Sequence, residues 1–534
     1  MRTDFGGPYG GPAYQLFYSR RIGRGTPSAS LGNDQSIVFQ PSSVPVIGAA
    51  KVTGTVGGAS VGVLTAVEPR VSAQVETAGR VGDLRVAEAR STSALRVRAP
   101  VAKGVLIGVS GTAVDPFLTD AALGLTRRHA HVGEADLTLF NDDRSWDFTA
   151  QGVGSLVTGR EPETLRDGTF ADRTASGFAG STRLGHETEH TAFAVFFDAL
   201  TPNFTVNDLG YVPRANLTRA MGYFALRDPH PNSWRQNIQL LFGAREVRDA
   251  RFANLLERDA LLELNFSTNS FWFVDAGMLG QTAYVDDREL LDGTPLERQP
   301  GVAAFGFIST DSRKPLQLQF GFTQSRSFPR FERQNQLEVT AIFRPLPQLE
   351  GNFDVSYNEN AGTFRQIRGA TLEGSTAVLD AGASTKTTRL YLLAEQQARS
   401  VSATLRGTYA FTPHLTLQAY AQLFTAGVTY GAAQRALVAP GKATVRLDDL
   451  RPALSQDRPP NADDRQAGLN LNLILRWEWR TGSTLYLVYA HQSANDVTPP
   501  LRGLDFGREL SALASSGVSH GDTLLVKADL LTTL

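Results

Sequence analysis

The sequence predicts an all-β fold: a large antiparallel transmembrane β-barrel of about 24 strands (roughly 20–26), with short periplasmic turns and long extracellular loops. Three observations carry this expectation. Strand-length segments place apolar residues at every second position. The connections between them alternate short and long. Aromatic residues stand where strands meet the short turns. From Leu469, the residues Leu469, Leu471, Leu473, Leu475, Trp477 and Trp479 share one face, while Asn470, Asn472, Arg476, Glu478 and Arg480 share the other, with Ile474 the one apolar intruder. Successive side chains of a strand point to opposite faces, so one face is oily and the other wet.

The same alternation recurs along the chain. Leu316, Leu318, Phe320 and Phe322 oppose Gln317, Gln319, Gly321 and Thr323. Leu337, Val339, Ala341 and Phe343 oppose Gln336, Glu338 and Thr340. Leu415, Leu417, Ala419, Ala421 and Leu423 oppose Thr416, Gln418, Tyr420 and Gln422. A soluble β-sandwich alternates in the same way. Against it stand the near absence of charge on the apolar face, the number of strands, and a girdle of Phe343, Phe411, Trp477 and Trp479, since amphipathic rings prefer a bilayer interface.

The first strand is expected near Tyr14–Arg20, followed by 46–56 and 59–67 around a tight Gly57-Gly58 link. Further hairpins are expected at Asn141-Asp142-Asp143, Asp228-Pro229-His230-Pro231-Asn232, Thr310-Asp311-Ser312-Arg313, Pro345-Leu346-Pro347, Thr412-Pro413-His414 and Arg480-Thr481-Gly482-Ser483, all rich in residues with a backbone reason to turn. Long polar connections run over 68–89, 159–176, 281–300, 426–465 and 493–520. Two places strain this parity: 374–386 is long for a periplasmic turn, and 397–399 is short for an outer loop. Segment 252–262 also fits a short helix, because Leu255, Leu256 and Ala260 have helical spacing. Residues 1–43 are read as an N-terminal segment carrying the first strand, serving as plug or periplasmic lead-in, and 44–534 as the barrel. Within the lead-in, Met1–Pro12 and Gly23–Ser43 are the stretches expected to plug a lumen that is otherwise wide.

Composition agrees. A formal charge of -1 argues against nucleic-acid binding, which needs a basic footprint. With no Cys, neither a disulfide framework nor a thiolate metal site can form. No apolar run reaches the roughly 18 residues of a membrane helix, but a barrel strand needs only about 9–11, half of them facing inward. The opening Met1-Arg2-Thr3-Asp4-Phe5-Gly6-Gly7 lacks the apolar core of a secretory signal, so either the signal has been removed or, the favoured expectation, the chain is the C-terminal part of a longer product.

Several motifs occur in a fixed order: Phe17-Tyr18-Ser19-Arg20-Arg21-Ile22-Gly23-Arg24, Ile47-Gly48-Ala49-Ala50-Lys51-Val52-Thr53-Gly54, Asn203-Phe204, Leu209-Gly210-Tyr211-Val212-Pro213-Arg214, 409–422 and 475–488. By these the chain, from about Tyr14 to its end, resembles an uncharacterised family of bacterial outer-membrane β-barrels. Members usually carry a signal peptide and an N-terminal carbohydrate-binding domain of the family-nine type, absent from this sequence. The resemblance implies an outer-membrane location but no substrate. Expected partners are outer-membrane lipid, the barrel-assembly machinery and a separate carbohydrate-binding domain or protein; no nucleic acid and no cofactor is expected. The terminal segment suits the assembly machinery, with Leu524, Val526, Ala528 and Leu530 alternating toward Leu534.

Candidate chemistry is sparse. His186-Glu187-Thr188-Glu189-His190 matches the H-E-x-x-H zinc-protease string, which works only on a helix that aligns both imidazoles. Strand residues follow it, so a polar hairpin tip is the better reading and no catalytic residue is assigned. His129 and His131 share one face of a strand and could hold a metal, although a solvated rim pair is the simpler reading. Asn141-Asp142-Asp143 and Asp463-Asp464 lack the spacing of a calcium loop. The functional candidates are the inward polar rows: Gln317, Gln319, Glu338, Arg406, Gln418, Gln422, Arg476, Glu478 and Arg480. They would either tune passage through the lumen or pair across it and brace the wall. The expected function is a pore or uptake scaffold for small solutes or saccharide breakdown products; the alternatives are a non-conducting interaction barrel and, more weakly, a surface zinc hydrolase. The protein should leave membranes only with detergent, and a monomer that stays folded in plain buffer would contradict the inside-out pattern.

Overall fold

Alternating β-branched and aromatic segments form strands, and Gly, Asn, Asp and Pro punctuate them. The computed structural model describes residues 13–27, 29, 31–32, 34–41, 43–117, 128–367, 376–377, 388–438, 444–453, 463–496, 513 and 519–529. No described helix is long and apolar enough to cross a membrane.

Among the described residues the main sheet is a closed antiparallel barrel of 24 strands. Three of these, Thr376–Ala377, Gln434–Val438 and Arg451–Pro452, are short pieces in the long connections. The others pair mostly with their neighbours in sequence. Val105–Pro116 lies between Arg90–Ala102 and His129–Phe140, and Leu316–Ser327 lies between Gly301–Ser309 and Glu332–Leu346. The chain divides into two compact units. The first is built on strands Gly48–Val56 to Thr191–Leu200 and most of Leu217–Asp228. The second holds strands from Phe273–Gln281 to Ser519–Asp529.

The short turns fall where expected. Gly57 and Gly58 take φ of 58° and 83° between Gly48–Val56 and Ala59–Glu68, a conformation only glycine adopts cheaply. At the opposite rim the connections are long and partly folded. Val71–Thr77 and Arg80–Ala87 form a hairpin there, and Gln35–Phe39 adds a third strand to it. Of the stretch 23–43, the segment Gln35–Phe39 thus joins this loop sheet. Met1–Pro12, the other stretch expected to plug, lies outside the described residues.

Three expectations are corrected. Tyr14–Arg20 forms no wall strand: Gln15 makes an isolated bridge to Tyr211, and Ser19–Arg21 is one 3-10 turn. The 252–262 segment is not helical. Phe252 takes φ 59° in a turn where the Asp249 carboxylate accepts from the backbone N–H groups of Ala253 and Asn254, and Leu255–Thr268 then runs as a strand. The parity strain also disappears. Leu349–Gln366 pairs directly with the 25-residue strand Thr388–Thr412, so Gln397–Arg399 is mid-strand; of 374–386 only Thr376 and Ala377, which pair with Arg389 and Thr388, lie within the described residues.

Register fixes the two faces. Leu316, Leu318, Phe320 and Phe322 stand opposite Phe343, Ala341, Val339 and Leu337, and they remain 39–52% exposed. Gln317, on the other face, is 7% exposed. Leaving a large apolar side chain in water forfeits about 1.5–3 kcal/mol relative to burial. Rows of them on the outward face are therefore a lipid-facing belt. Val339 lies mid-strand in this belt, so Val339→Arg should destabilise the barrel by about 2–4 kcal/mol, whereas Gln319→Arg on the inward face should cost little. Denaturant titration of both variants in detergent or bilayers distinguishes them, and equal costs would refute the face assignment.

Candidate functional site

The inner wall of the first unit is lined by opposed charges at alternate positions. Arg96 donates to Glu134 at 2.7 Å and pairs with Asp136 at 2.7 Å. Arg98 donates to Thr138 at 2.9 Å. Glu134 also accepts from Ser110 and Gln151. Gly108 makes room for this cluster: a Cβ there would stand 2.0 Å from the Asp136 carboxylate. Glu68, fully buried, is paired with Arg90 and accepts the Gly23 N–H at 2.8 Å. Each buried charge thus has a partner, as a barrel interior requires.

Two segments lie on this wall toward the long-loop rim. Tyr14 is 5% exposed, donates to Gln151, and meets Phe204 edge-on at 5.4 Å between centroids. Burial, then the nearby Asp198 and Glu134 charges, push its phenol well above the ordinary range. Gln15 and Tyr211 exchange backbone hydrogen bonds at 2.8 and 2.7 Å, and Arg21 donates to the Gly210 carbonyl. Phe17 and Ile22 pack with Leu209 against Val114, Ala130 and Val157, which face inward. Gly177 lets the 201–216 connection touch the wall; a Cβ there would stand 2.3 Å from the Phe204 backbone. Arg128 grips Asp208 through two bonds of 2.9 and 2.8 Å.

The second unit carries the residues expected to line the lumen. By register Gln317, Gln319, Glu338, Arg406, Gln418, Gln422, Arg476 and Glu478 share one face, and a bulge separates Arg480 from them. Gln317 donates to Ser309 at 2.9 Å. Gln319 stands opposite Thr340, and Glu338 stands between Gly321 and Ser356. Arg406 lies 5.5 Å over the Tyr420 ring, and Tyr420 donates to Gln422 at 2.9 Å. Gln418 stands between Thr408 and Ile474. Arg476 donates to Glu478 at 3.0 Å, and Glu478 accepts the turn N–H of Gly482 at 3.1 Å. Arg480 is exposed beside that turn. The nine therefore form local groups along the wall rather than one converging site.

Above this wall the long connections of the second unit build their own core. Leu290, Leu296, Val445, Leu447 and Leu450 pack on Phe364, Tyr391 and Leu393. Arg298, 5% exposed, donates to the Phe364 carbonyl at 2.8 Å and pairs with Asp286 and Glu289 at 3.0 and 3.2 Å. Burial alone would raise the Asp286 carboxyl, but the Arg298 charge and hydrogen bonds from Arg298 and two backbone N–H groups hold it below the ordinary carboxylate value.

The zinc-protease string does not assemble. His186 and Glu187 end the strand Thr174–Glu187, and His190 lies in the following turn. The His186 ring packs 4.3 Å from Trp146 and 5.6 Å from Phe193, as part of the outward aromatic girdle. Sequence reasoning missed the inner-wall role of Tyr14, Glu68, Arg90, Arg96, Glu134, Gln151 and the 201–216 connection. The available signal was the run of inward charges Arg90, Arg96 and Arg98 answered by Glu134 and Asp136 two strands on.

A closed antiparallel sheet with a lipid-facing belt and a charged interior defines a large β-barrel of the bacterial outer membrane. The chain belongs to the family described as a domain of unknown function, DUF5916, which matches residues 13–89 and 121–526. No curated protein matches it. Among solved structures it is similar to a chain of the FpvAI–pyocin S2 complex, with 9% identity, 82% of this chain and 76% of that one covered, and a TM-score of 0.35. It is also similar to the alcaligin outer-membrane receptor FauA from Bordetella pertussis, with 10% identity, 84% and 73% covered, and a TM-score of 0.33. A third is a chain of the RagAB peptide importer, with 9% identity, 89% and 64% covered, and a TM-score of 0.38.

Removing Arg298 strands the Asp286 carboxylate, while Glu289 keeps its pair with Arg365 at 2.7 Å. Arg298→Leu should weaken the loop core by about 3 kcal/mol and open segment 282–298 to protease at neutral pH. In the unaltered protein the Asp286 contribution is complete above about pH 4, the ordinary carboxylate value, and is lost as pH falls through its lower folded value. Unchanged cleavage in the variant would show that the ion pairs do not hold the core.

Proposed function

We propose that this protein is an outer-membrane pore or uptake scaffold for small polar solutes, with residues 13–24 and 201–216 restricting the inner wall of the first unit. The observation that carries this reading is the seating of both segments on that wall through paired backbone bonds, a buried Tyr14 and the Arg128–Asp208 fork. The wall is cut at Gly177 to receive the 201–216 connection, and Gly210 of that connection in turn leaves room for the Gln15 and Leu16 backbone, a fit that a segment merely leading into the first strand would not need. The inward rows Gln317, Gln319, Glu338, Arg406, Gln418, Gln422, Arg476, Glu478 and Arg480 then set which solutes pass, because amide and charged groups replace part of a polar solute's hydration. Saccharide breakdown products suit such a lining, and the family resemblance supports that choice. A separately folded sugar-binding module and the barrel-assembly machinery are the partners this reading implies.

A non-conducting interaction barrel is the second reading. The observation favouring it is the folded loop core around Arg298, a platform more elaborate than a pore needs.

Gln15 and Tyr211 form a hydrogen-bonded antiparallel pair, whose Cα atoms lie about 5.5 Å apart, a spacing that a disulfide tolerates. The sequence has no other Cys to compete. The double variant Gln15→Cys/Tyr211→Cys, oxidised, should hold planar-bilayer conductance at a low level, and reduction combined with Tyr14→Ala should raise it several-fold. Folded protein that never conducts in either state would end the pore reading and leave the interaction barrel.

A further inference from the structure

The outward face of the first unit carries one polar group that neither the lipid belt nor the inner wall accounts for. His129 and His131 alternate with inward Ala130 on the strand His129–Phe140, so their rings share the outward face. Asp115 ends the neighbouring strand Val105–Pro116 on the same face. The Nδ1 of His129 and the Nε2 of His131 reach the same Asp115 oxygen, at 2.7 and 2.8 Å. One ligand atom from each of the three residues lies within 4.8 Å of the others. The ion partners found for Asp115 are these two imidazoles; no Lys or Arg pairs with it in the described structure. Below the trio the outward rows turn apolar, with Ile107 and Val109 on one strand and Leu137 and Leu139 on the other. The group therefore sits at the outer edge of the lipid belt, where water and lipid headgroups meet.

We propose that Asp115, His129 and His131 form a divalent transition-metal site of the zinc class. Two imidazoles and one carboxylate are a donor set such ions accept, with ligand distances of about 2.0–2.2 Å. A metal between the three would part the nitrogen and oxygen atoms by a few tenths of an ångström, a movement within side-chain reach on an exposed face. The carboxylate brings one negative charge and the imidazoles bind in their neutral form, so a divalent ion leaves the site at a net charge of +1. Three protein ligands leave a tetrahedral ion one open position, directed away from the barrel. The bound ion would tie the two strands together at the base of the 117–128 connection.

The test uses the full chain, refolded in detergent, with heat-modifiable gel mobility as the check on folding. Zinc, nickel and copper are each titrated calorimetrically. One strong site is expected, and each of Asp115→Asn, His129→Ala and His131→Ala should weaken it by about tenfold or more, since even an outer-shell partner is worth that much. His414→Ala, in the turn between Thr388–Thr412 and Leu415–Tyr430, should leave it unchanged. A second measurement needs no variant. Zinc should protect His129 and His131, but not His414, from diethyl pyrocarbonate, read by peptide mass spectrometry. Binding that survives the His129→Ala/His131→Ala double variant, or modification of His129 and His131 undiminished by zinc, would overturn the assignment; so would no binding at all in folded protein.

Discussion

The constraint on which everything else depends is that hydrocarbon offers no partner to a peptide group. Every N–H and C=O inside the bilayer must be bonded to another strand, so the sheet has to close. Closure then fixes what each side chain can be. One face of a wall strand meets acyl chains and the other meets water or another side chain, and the pleat alternates them. The rows Leu316–Phe322 and Phe343–Leu337 on one face, with Gln317 and Thr340 on the other, are the direct imprint of that rule. Charges inside a closed sheet are costly unless matched. That is why Arg96 meets Glu134 and Asp136, and why Gly108 yields the space their carboxylates occupy.

A wide closed sheet encloses more volume than its own side chains fill. In the first unit part of that volume is taken by chain that is not wall. Residues 13–24 and 201–216 bring their own backbone donors and acceptors, and these are satisfied between the two segments at Gln15 and Tyr211 and between Tyr18 and Leu209. The apolar contacts of Phe17, Ile22 and Leu209 hold them to the wall. This is a division of labour. The strands supply rigidity, and the inserted segments supply a surface that can differ from a plain barrel lining.

How much of this was legible from residues alone follows from the range of each interaction. The period-two rows and the tight turns are local, so the strand at Leu469 and the turn at Gly57-Gly58 could be read directly. Medium-range cues misled. Leu255, Leu256 and Ala260 have helical spacing, yet the Asp249 carboxylate caps a turn before them and the segment joins the wall. The polar run Gln396-Gln397 with Arg399 looked like a loop because it lacks an oily face, but it lies where the strand has no lipid to meet, and Arg399 instead pairs with Glu359. The groupings within the polar rows were not foreseeable: Arg406 with Tyr420, and Arg476 with Glu478, depend on register and rotamer. Least legible was the loop core, since Leu296 bridges to Val445 and Arg298 bonds to Phe364 across long stretches of chain.

The strand Thr388–Thr412 has 25 residues. At about 3.3 Å per residue it is roughly 80 Å long, and tilted as barrel strands are it still rises far beyond an apolar band of about 25 Å. On the order of 30 Å of it must therefore stand in the external medium as a mast, stiffened by pairing with Leu349–Gln366 and Leu415–Tyr430 along much of its length. Tyr391 and Leu393, on which the loop core is built, lie near its far end. Whatever meets that core does so at a fixed standoff from the lipid surface, beyond the reach of most headgroups, and the height is set by hydrogen-bonded sheet rather than by slack loop.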